Sequence, residues 1–369
     1  MKIKSKKNLL QTAIQLSFAA LTATAAMTLI ISPNLVQGAI DGYNNDGYGS
    51  DNVRPPETPE EEAEVKRQET EQEAVSDAIL RKNVSTTVRT TISHIKQLHA
   101  RTNEFSIANA AYAQYSTSGL NAGSSVSGMA GWLTIPYSDF EDSSFTNNNS
   151  NFDGKSINYL AGMDLVLNTR LALGASLGYE DSEITFKNGS TTDTDGWFGT
   201  VYGAYNFSEV TAYLIAGYGS GENAPSNASS YDSDSHFITG GAMKDFGIGT
   251  NLALNLDAGY TYAESDSDSY ASNGLIITPD GTILSQLHVN AEVAKIMEWG
   301  ELYGLAETKF DLHDDDNALH DNGSFGMDLG LGIRFNANEA ISGDVNVKKM
   351  FARKDEENVT ITATIRYQF

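Results

Sequence analysis

Between residues 325 and 335 every second side chain is apolar: Phe325, Met327, Leu329, Leu331, Ile333 and Phe335 alternate with Gly326, Asp328, Gly330, Gly332 and Arg334. A period of two marks a strand with one apolar and one polar face. Leu252, Leu254, Leu256, Ala258, Tyr260 and Tyr262 likewise oppose Asn255, Asp257, Gly259 and Thr261. The stretch from Asn358 to Phe369 sets Val359, Ile361, Ala363, Ile365, Tyr367 and Phe369 against Thr360, Thr362, Thr364, Arg366 and Gln368. A strand that stops on an aromatic side chain would leave an open apolar edge in a soluble sheet, whereas in a closed barrel it is a seam.

Twelve such segments are predicted, at 126–137, 156–167, 170–181, 195–206, 209–219, 234–246, 250–263, 283–296, 300–312, 324–336, 340–352 and 357–369. They are longer than ordinary globular strands and suit tilted strands that cross a bilayer. The segments at 209–219 and 234–246 alternate poorly, which leaves their facing open. Short turns, such as Asn168-Thr169 and Phe207-Ser208, alternate with the longer links 138–155, 182–194, 220–233, 264–282 and 313–323, and with a shorter one at 353–356. Short periplasmic turns and long extracellular loops are the rule in outer-membrane barrels. Trp132, Tyr179, Tyr205, Tyr260, Tyr262, Phe310, Phe325, Phe335, Phe351, Tyr367 and Phe369 fall mostly near strand ends, as interfacial girdles require. The expected fold is all-β: a transmembrane antiparallel up-and-down β-barrel of about twelve strands over 126–369, its two ends on the periplasmic side.

Before the strands the period changes. Residues 60–103 contain no Pro or Gly, and Val84, Val88, Ile92, Ile95 and Leu98 fall on one face of a helix started by Thr58-Pro59. The helix is acidic from Glu57 to Asp77, whereas Ala78 to Asn103 carries Arg81, Lys82, Arg89, Lys96 and Arg101 and no acid. Acid first and base last suits the helix dipole. The basic half would reach about 39 Å at 1.5 Å per residue, longer than the roughly 25 Å apolar band of a barrel. Residues 1–38 read as a secretory signal, with Lys2, Lys4, Lys6 and Lys7 ahead of an apolar run. Residues 39–59 read as disordered and 104–125 as a small-residue linker.

Composition narrows the function. With 24 basic and 48 acidic residues and a net charge of -24, the chain is a poor match for nucleic acid. It has no cysteine, hence no disulfide framework and no thiolate metal site.

The sequence resembles the C-terminal translocator barrel of autotransporters, the type V secretion proteins of Gram-negative bacteria. The resemblance is carried by LAGMDLVLNTRLALGASLGYEDSEITF (160–186), by Gly203-Ala204-Tyr205 and by the terminal Arg366-Tyr367-Gln368-Phe369. It implies a location in the outer membrane, surrounded by lipid and lipopolysaccharide, and an assembly signal at Ile365, Tyr367 and Phe369 read by the outer-membrane barrel assembly machinery. It also implies a helix in the pore ahead of the first strand, the slot that residues 78–103 occupy. The segment ahead of that helix is short for a passenger, so the expected role is an integral translocator-like protein with a vestigial passenger. The alternative is a stand-alone channel or adhesin-like surface protein that uses its extracellular loops. A monomer is expected.

No HExxH, GxSxG or P-loop occurs; Gly154-Lys155-Ser156 has only the tail of one, in an expected loop. His236, beside Ser235 and Asp234, forms no triad spacing, so no enzyme activity and no cofactor are expected. Carboxylates suit hard cations, and the weak metal candidates are His313, Asp314, Asp315, Asp316, His320 and Asp321, which a solvated acidic loop explains equally well. By strand parity Asp164, Asp257, Glu292, Asp328 and Asp344 face the lumen, with Glu307, Lys309, Arg334, Lys348 and Arg366. Arg81, Lys82, Arg89 and Lys96 are expected to plug that acidic pore.

Overall fold

A computed structural model describes residues 54–102, 128–145, 148–207, 209–248, 251–297, 299–312, 323–337 and 340–369. Among the described residues, one long helix, α1 (Pro59–Thr102), precedes the sheet. The strands are β1 (Gly128–Asp142), β2 (Phe152–Val166), β3 (Leu171–Phe186), β4 (Thr191–Asn206), β5 (Thr211–Pro225), β6 (Tyr231–Gly247) and β7 (Leu252–Ser267). A short hairpin of β8 (Tyr270–Ser272) and β9 (Leu275–Ile277) follows, then β10 (Thr282–Met297), β11 (Gly300–Asp311), β12 (Phe325–Asn336), β13 (Ile341–Phe351) and β14 (Glu356–Gln368).

All the strands except β8 and β9 form one closed antiparallel barrel, each paired with its sequence neighbour, and β1 closes on β14. The seam is continuous from Ala130 opposite Gln368 to Asp142 opposite Glu356. Alternation now has a physical meaning on both faces. Leu133, Met163, Leu177, Val201, Leu331 and Ile361 point outward and are exposed, as a lipid-facing belt must be. Tyr179, Trp197, Tyr218, Phe310 and Phe351 border that belt towards the long loops, and Tyr205, Phe335 and Tyr367 towards the short turns. Trp132 departs from the girdle expected of it. Its indole is buried inside the barrel and its Nε1 donates to Tyr202 Oη at 3.2 Å.

The barrel is taller than the alternation predicted, and unevenly so. β1 to β7 and β10 run to 15–17 residues, whereas β11 to β14 stop at 11–13. With strands tilted by about 40° at about 3.4 Å per residue, the tall side stands about 40 Å and the low side about 30 Å. The outward extra residues, such as Asp139, Glu141, Thr191 and Asp193, are polar or acidic, while Phe140 turns into the lumen, so the apolar period ends where the membrane does while the strand continues. Gly154-Lys155-Ser156 lies in this extension, within β2 and not in a loop.

The family-like stretch 160–186 is a hairpin whose glycines make room for large lumenal rings. A Cβ at Gly162 would stand 2.3 Å from the Trp132 ring, and one at Gly174 would stand 2.2 Å from the Tyr202 ring. Each aromatic therefore lies flat over a neighbouring strand at a position where no other residue fits.

Candidate functional site: a helix seated in the pore

The helix begins with a reciprocal cap. Thr58 Oγ1 accepts from the Glu61 amide at 3.2 Å, and the Glu61 carboxylate accepts from the Glu57 and Thr58 amides at 2.8 and 3.3 Å. A hydrogen bond from Arg54, ahead of the amide bonds, holds the Glu61 carboxyl down at about 2. With 44 residues, α1 spans about 66 Å, well beyond either barrel height. It therefore traverses the lumen and protrudes.

Its direction is fixed by its two ends. Val65 packs with Tyr231, Tyr270, Leu275 and Ile277, all at the long-loop end, and the Arg54 amide donates to the Gly274 carbonyl in the β8–β9 turn. Leu98 packs with Val166 and Ala172, which flank the short β2–β3 turn. Between these ends the helix leans on β3, β4, β6, β7 and β10. The apolar stripe Leu80, Val84, Val88, Ile92 and Ile95 is buried against Phe198, Tyr213, Ile215 and Met243, with Phe237 packed alongside. At about 1.5–3 kcal/mol per fully buried aliphatic side chain, this stripe is the main attraction between plug and wall. It also explains why 209–219 and 234–246 alternate poorly. On β5 and β6 several lumenal positions, Tyr213, Ile215, Phe237 and Met243, are themselves apolar, because they face the stripe and not water.

The basic residues descend the pore like rungs. Arg81 pairs with Asp77 on its own helix and with Asp311 on β11. Lys82 Nζ lies 2.9 Å from Glu180 Oε1, and the neighbouring Asn83 amide donates to the same carboxylate. Arg89 Nε donates to Glu307 Oε1 at 2.7 Å, while its Nη1 stands 3.3 Å from Asp257. Lys96 is 3.6 Å from Glu292. Of the six carboxylates predicted to line the lumen, Asp257, Glu292 and Glu307 meet the helix. The other three are bound by the wall. Asp164 pairs with Arg366 at 3.0 Å, Asp328 with Lys309 at 2.9 Å, and Asp344 with Arg334 at 3.1 Å and with Tyr303 Oη. Arg334 also bridges Glu292 and Glu301, and Lys348 reaches towards Glu307 and Asp328.

Two partners of the basic face went unnoticed in the sequence. Glu180 lies on the lumenal parity of β3 with Gly174, Ser176 and Gly178, so its facing was readable from the strand already assigned. Asp311 lies at the end of β11, where the apolar period gives out. His94, also missed, is buried and stacked on Trp132 with ring centroids 4.1 Å apart. The weak metal candidates at 313–321 lie outside the described residues; among the described residues no group of three or more His, Asp or Glu side chains is placed to hold a metal. His236, on β6, stands 3.5 Å from Glu264 on β7. Ile365, Tyr367 and Phe369 project outward beside the seam, 54%, 49% and 74% exposed. Mechanically, the helix narrows the lumen. An apolar stripe holds the helix to one wall, and ion pairs fix its depth and rotation.

Residues 131–348 match the family model described as the autotransporter β-domain. A search of curated proteins returns no match. Among solved structures, the chain is similar to the translocator domain of autotransporter NalP from Neisseria meningitidis, with a TM-score of 0.54 at 14% identity, over 72% of this chain and 99% of that one. It is also similar to the β-domain of the Bordetella autotransporter BrkA, with a TM-score of 0.54 at 15% identity, over 66% of this chain and 100% of that one. The transport unit of AIDA-I from Escherichia coli gives 0.50 at 12% identity, over 72% and 100%. At such identities the structures speak to fold alone, and the family model, which covers more than half of the sequence, speaks to descent. With a closed barrel, a lipid-facing belt and a matched β-domain, this chain belongs to the autotransporter β-domain family and is an outer-membrane barrel of the translocator type.

Proposed function

We propose that this translocator carries its own N-terminal segment to the cell surface and keeps α1 in the pore as a plug. The observation that carries this reading is the direction of the helix, with Val65 among the long-loop residues Tyr231 and Tyr270 and Leu98 at the short β2–β3 turn. Short turns face the periplasm in outer-membrane barrels. A chain threaded in this sense has residues before Pro59 outside the cell. In this reading Arg81, Lys82, Arg89 and Lys96 are the locking residues, and the protein acts by position and not by catalysis. Ile365, Tyr367 and Phe369 serve as the mark read by the assembly machinery, and the outward belt sits in lipid and lipopolysaccharide. An epitope placed at about Ser50 tests the direction. Protease added to intact cells should remove it, whereas protection until the outer membrane is broken would overturn the reading.

A further inference from the structure

We infer that the seated helix leaves a narrow water-filled path for small inorganic ions along the β12–β14 wall, and that this path favours anions although the protein as a whole is acidic. The inference rests on the plug reading above and extends it to what the plugged pore still passes.

The helix sits off the barrel axis. Its apolar stripe draws it onto the β3 to β10 side. A gap of about 70 Å³ lies on that side, with Glu180 its one charged lining residue, and shares no lining with the two gaps that lie on the opposite side. The outer one, of about 40 Å³, reaches from Ala78 to Glu356 and Asn358 at the loop end of β14. The inner one, of about 70 Å³, reaches down to Lys96 and Thr364. Thr86, Lys348 and Thr360 line both, so the gaps meet at one level of the pore. A water molecule needs roughly 10–15 Å³ of such space together with polar partners. The partners are present, because β14 offers Thr360, Thr362 and Thr364 on its lumenal face and the helix offers Ser85, Thr90 and Ser93 opposite.

The charges along this path are not those of the whole chain. The outer gap is lined by Arg81, Lys82, Lys309, Lys348 and Arg353 against two carboxylates, Asp328 and Glu356. In the inner gap four cations, Lys348 again among them, face Glu292, Glu307 and Asp344. Some of the carboxylates that balance these cations line neither gap. Glu180 holds Lys82 from β3, and Asp257 holds Arg89 from β7. Coulomb interactions weaken with distance, and a narrow low-dielectric passage focuses the field of its own lining, so the nearest side chains set the preference. Withdrawing the helix removes Arg81, Lys82, Arg89 and Lys96 and uncovers Glu180, Asp257 and Glu307. The open pore should therefore be wide and cation-selective, the reverse of the plugged one.

Single-channel recording of the full-length mature protein in planar bilayers under a KCl gradient tests this. The expected result is a small conductance whose reversal potential has the sign of chloride permeating faster than potassium. Lys348→Gln should bring that potential towards zero at similar conductance. Should this variant fail to give a heat-modifiable barrel, Thr362→Asp, which adds a carboxylate to the path, should move the potential the same way. A silent protein, or a small conductance that prefers potassium, overturns the inference and leaves the plug reading intact. A large conductance that prefers potassium shows that the helix is not seated, and overturns both.

Discussion

Glu180 shows how much a single lumenal carboxylate holds. It is buried, and it receives Lys82, Asn83 and Ser182 Oγ, the last at 2.7 Å. The exposed pair of Lys349 and Glu357 has a comparable distance of 3.0 Å, but its side chains are 45% and 70% exposed. Solvent screening leaves such a pair worth about 0–1 kcal/mol, whereas removing one partner of a buried pair costs about 3–5 kcal/mol because the other charge is stranded. Glu180→Ala should therefore raise the ratio of open to plugged channels more than a hundredfold, and Glu357→Ala should leave it within a few fold. The double variant Lys82→Met with Glu180→Leu, which strands no charge, should return most of the loss. Open-channel occupancy in bilayers measures all three. Equal effects from Glu180→Ala and Glu357→Ala would show that the ladder does not hold the helix.

The β8–β9 hairpin is the element that the sequence reading passed over. Its turn is Asn273-Gly274, with φ of 51° and 79°, the left-handed pair that a two-residue hairpin turn requires. The signal was present, but it was hidden inside a link that the two-residue period of the barrel classed as loop. Elsewhere, legibility followed one physical rule. Each barrel strand was visible where lipid demanded an apolar face, and invisible where it rose above the membrane, so the predicted 195–206 is in fact Thr191–Asn206. Lumenal facing was legible too, down to Asp164 and Asp344. Which carboxylate meets which rung was not, because that depends on the depth and rotation of a helix whose register no local pattern encodes. The hairpin carries its own prediction. Tyr270, Leu275 and Ile277 hold Val65, so replacing residues 269–278 by a short Gly-Ser turn should speed hydrogen exchange over Pro59 to Thr70 while the barrel stays folded. Glu69, on the docked segment, has its carboxyl pushed up chiefly by burial, with Asp280 adding to the rise and a hydrogen bond from the Thr278 amide opposing it. A carboxyl raised in the docked state favours docking below its free value and loses that contribution as pH rises through the raised one. Protection of Pro59 to Thr70 should thus increase on going from neutral to mildly acidic pH, and Glu69→Gln should flatten that dependence. An exchange rate in this segment that ignores both changes would show that the hairpin does not clamp it.

At the scale of the whole molecule, two deletions should part company. Every barrel pairing joins wall to wall, from β1 with β2 round to β13 with β14 and the seam, and α1 contributes none of them. Removing residues 59–102 should leave a barrel that still inserts and still shows heat-modifiable migration. It would lose stability, because Glu180 is left without its lysine and the apolar patch of Phe198, Ile215 and Phe237 faces water. The lumen would then be acidic, and its self-repulsion should be relieved by salt, which screens charges more than about a Debye length apart. Removing Phe369 alone touches no lumenal charge. Its ring packs outside the seam against Tyr367, at a centroid distance of 5.1 Å, and over Gly131, where an added Cβ would lie 3.6 Å from it. If the terminal aromatic is the mark read during assembly, this one-residue loss should reduce the amount of barrel in the membrane more than the loss of the entire helix does, while the barrels that do insert keep their plug and their small conductance. The ratio of heat-modifiable protein in outer-membrane fractions decides it. Equal insertion of the two truncated forms would leave Phe369 a packing residue of the seam and shift the assembly signal to another part of β14.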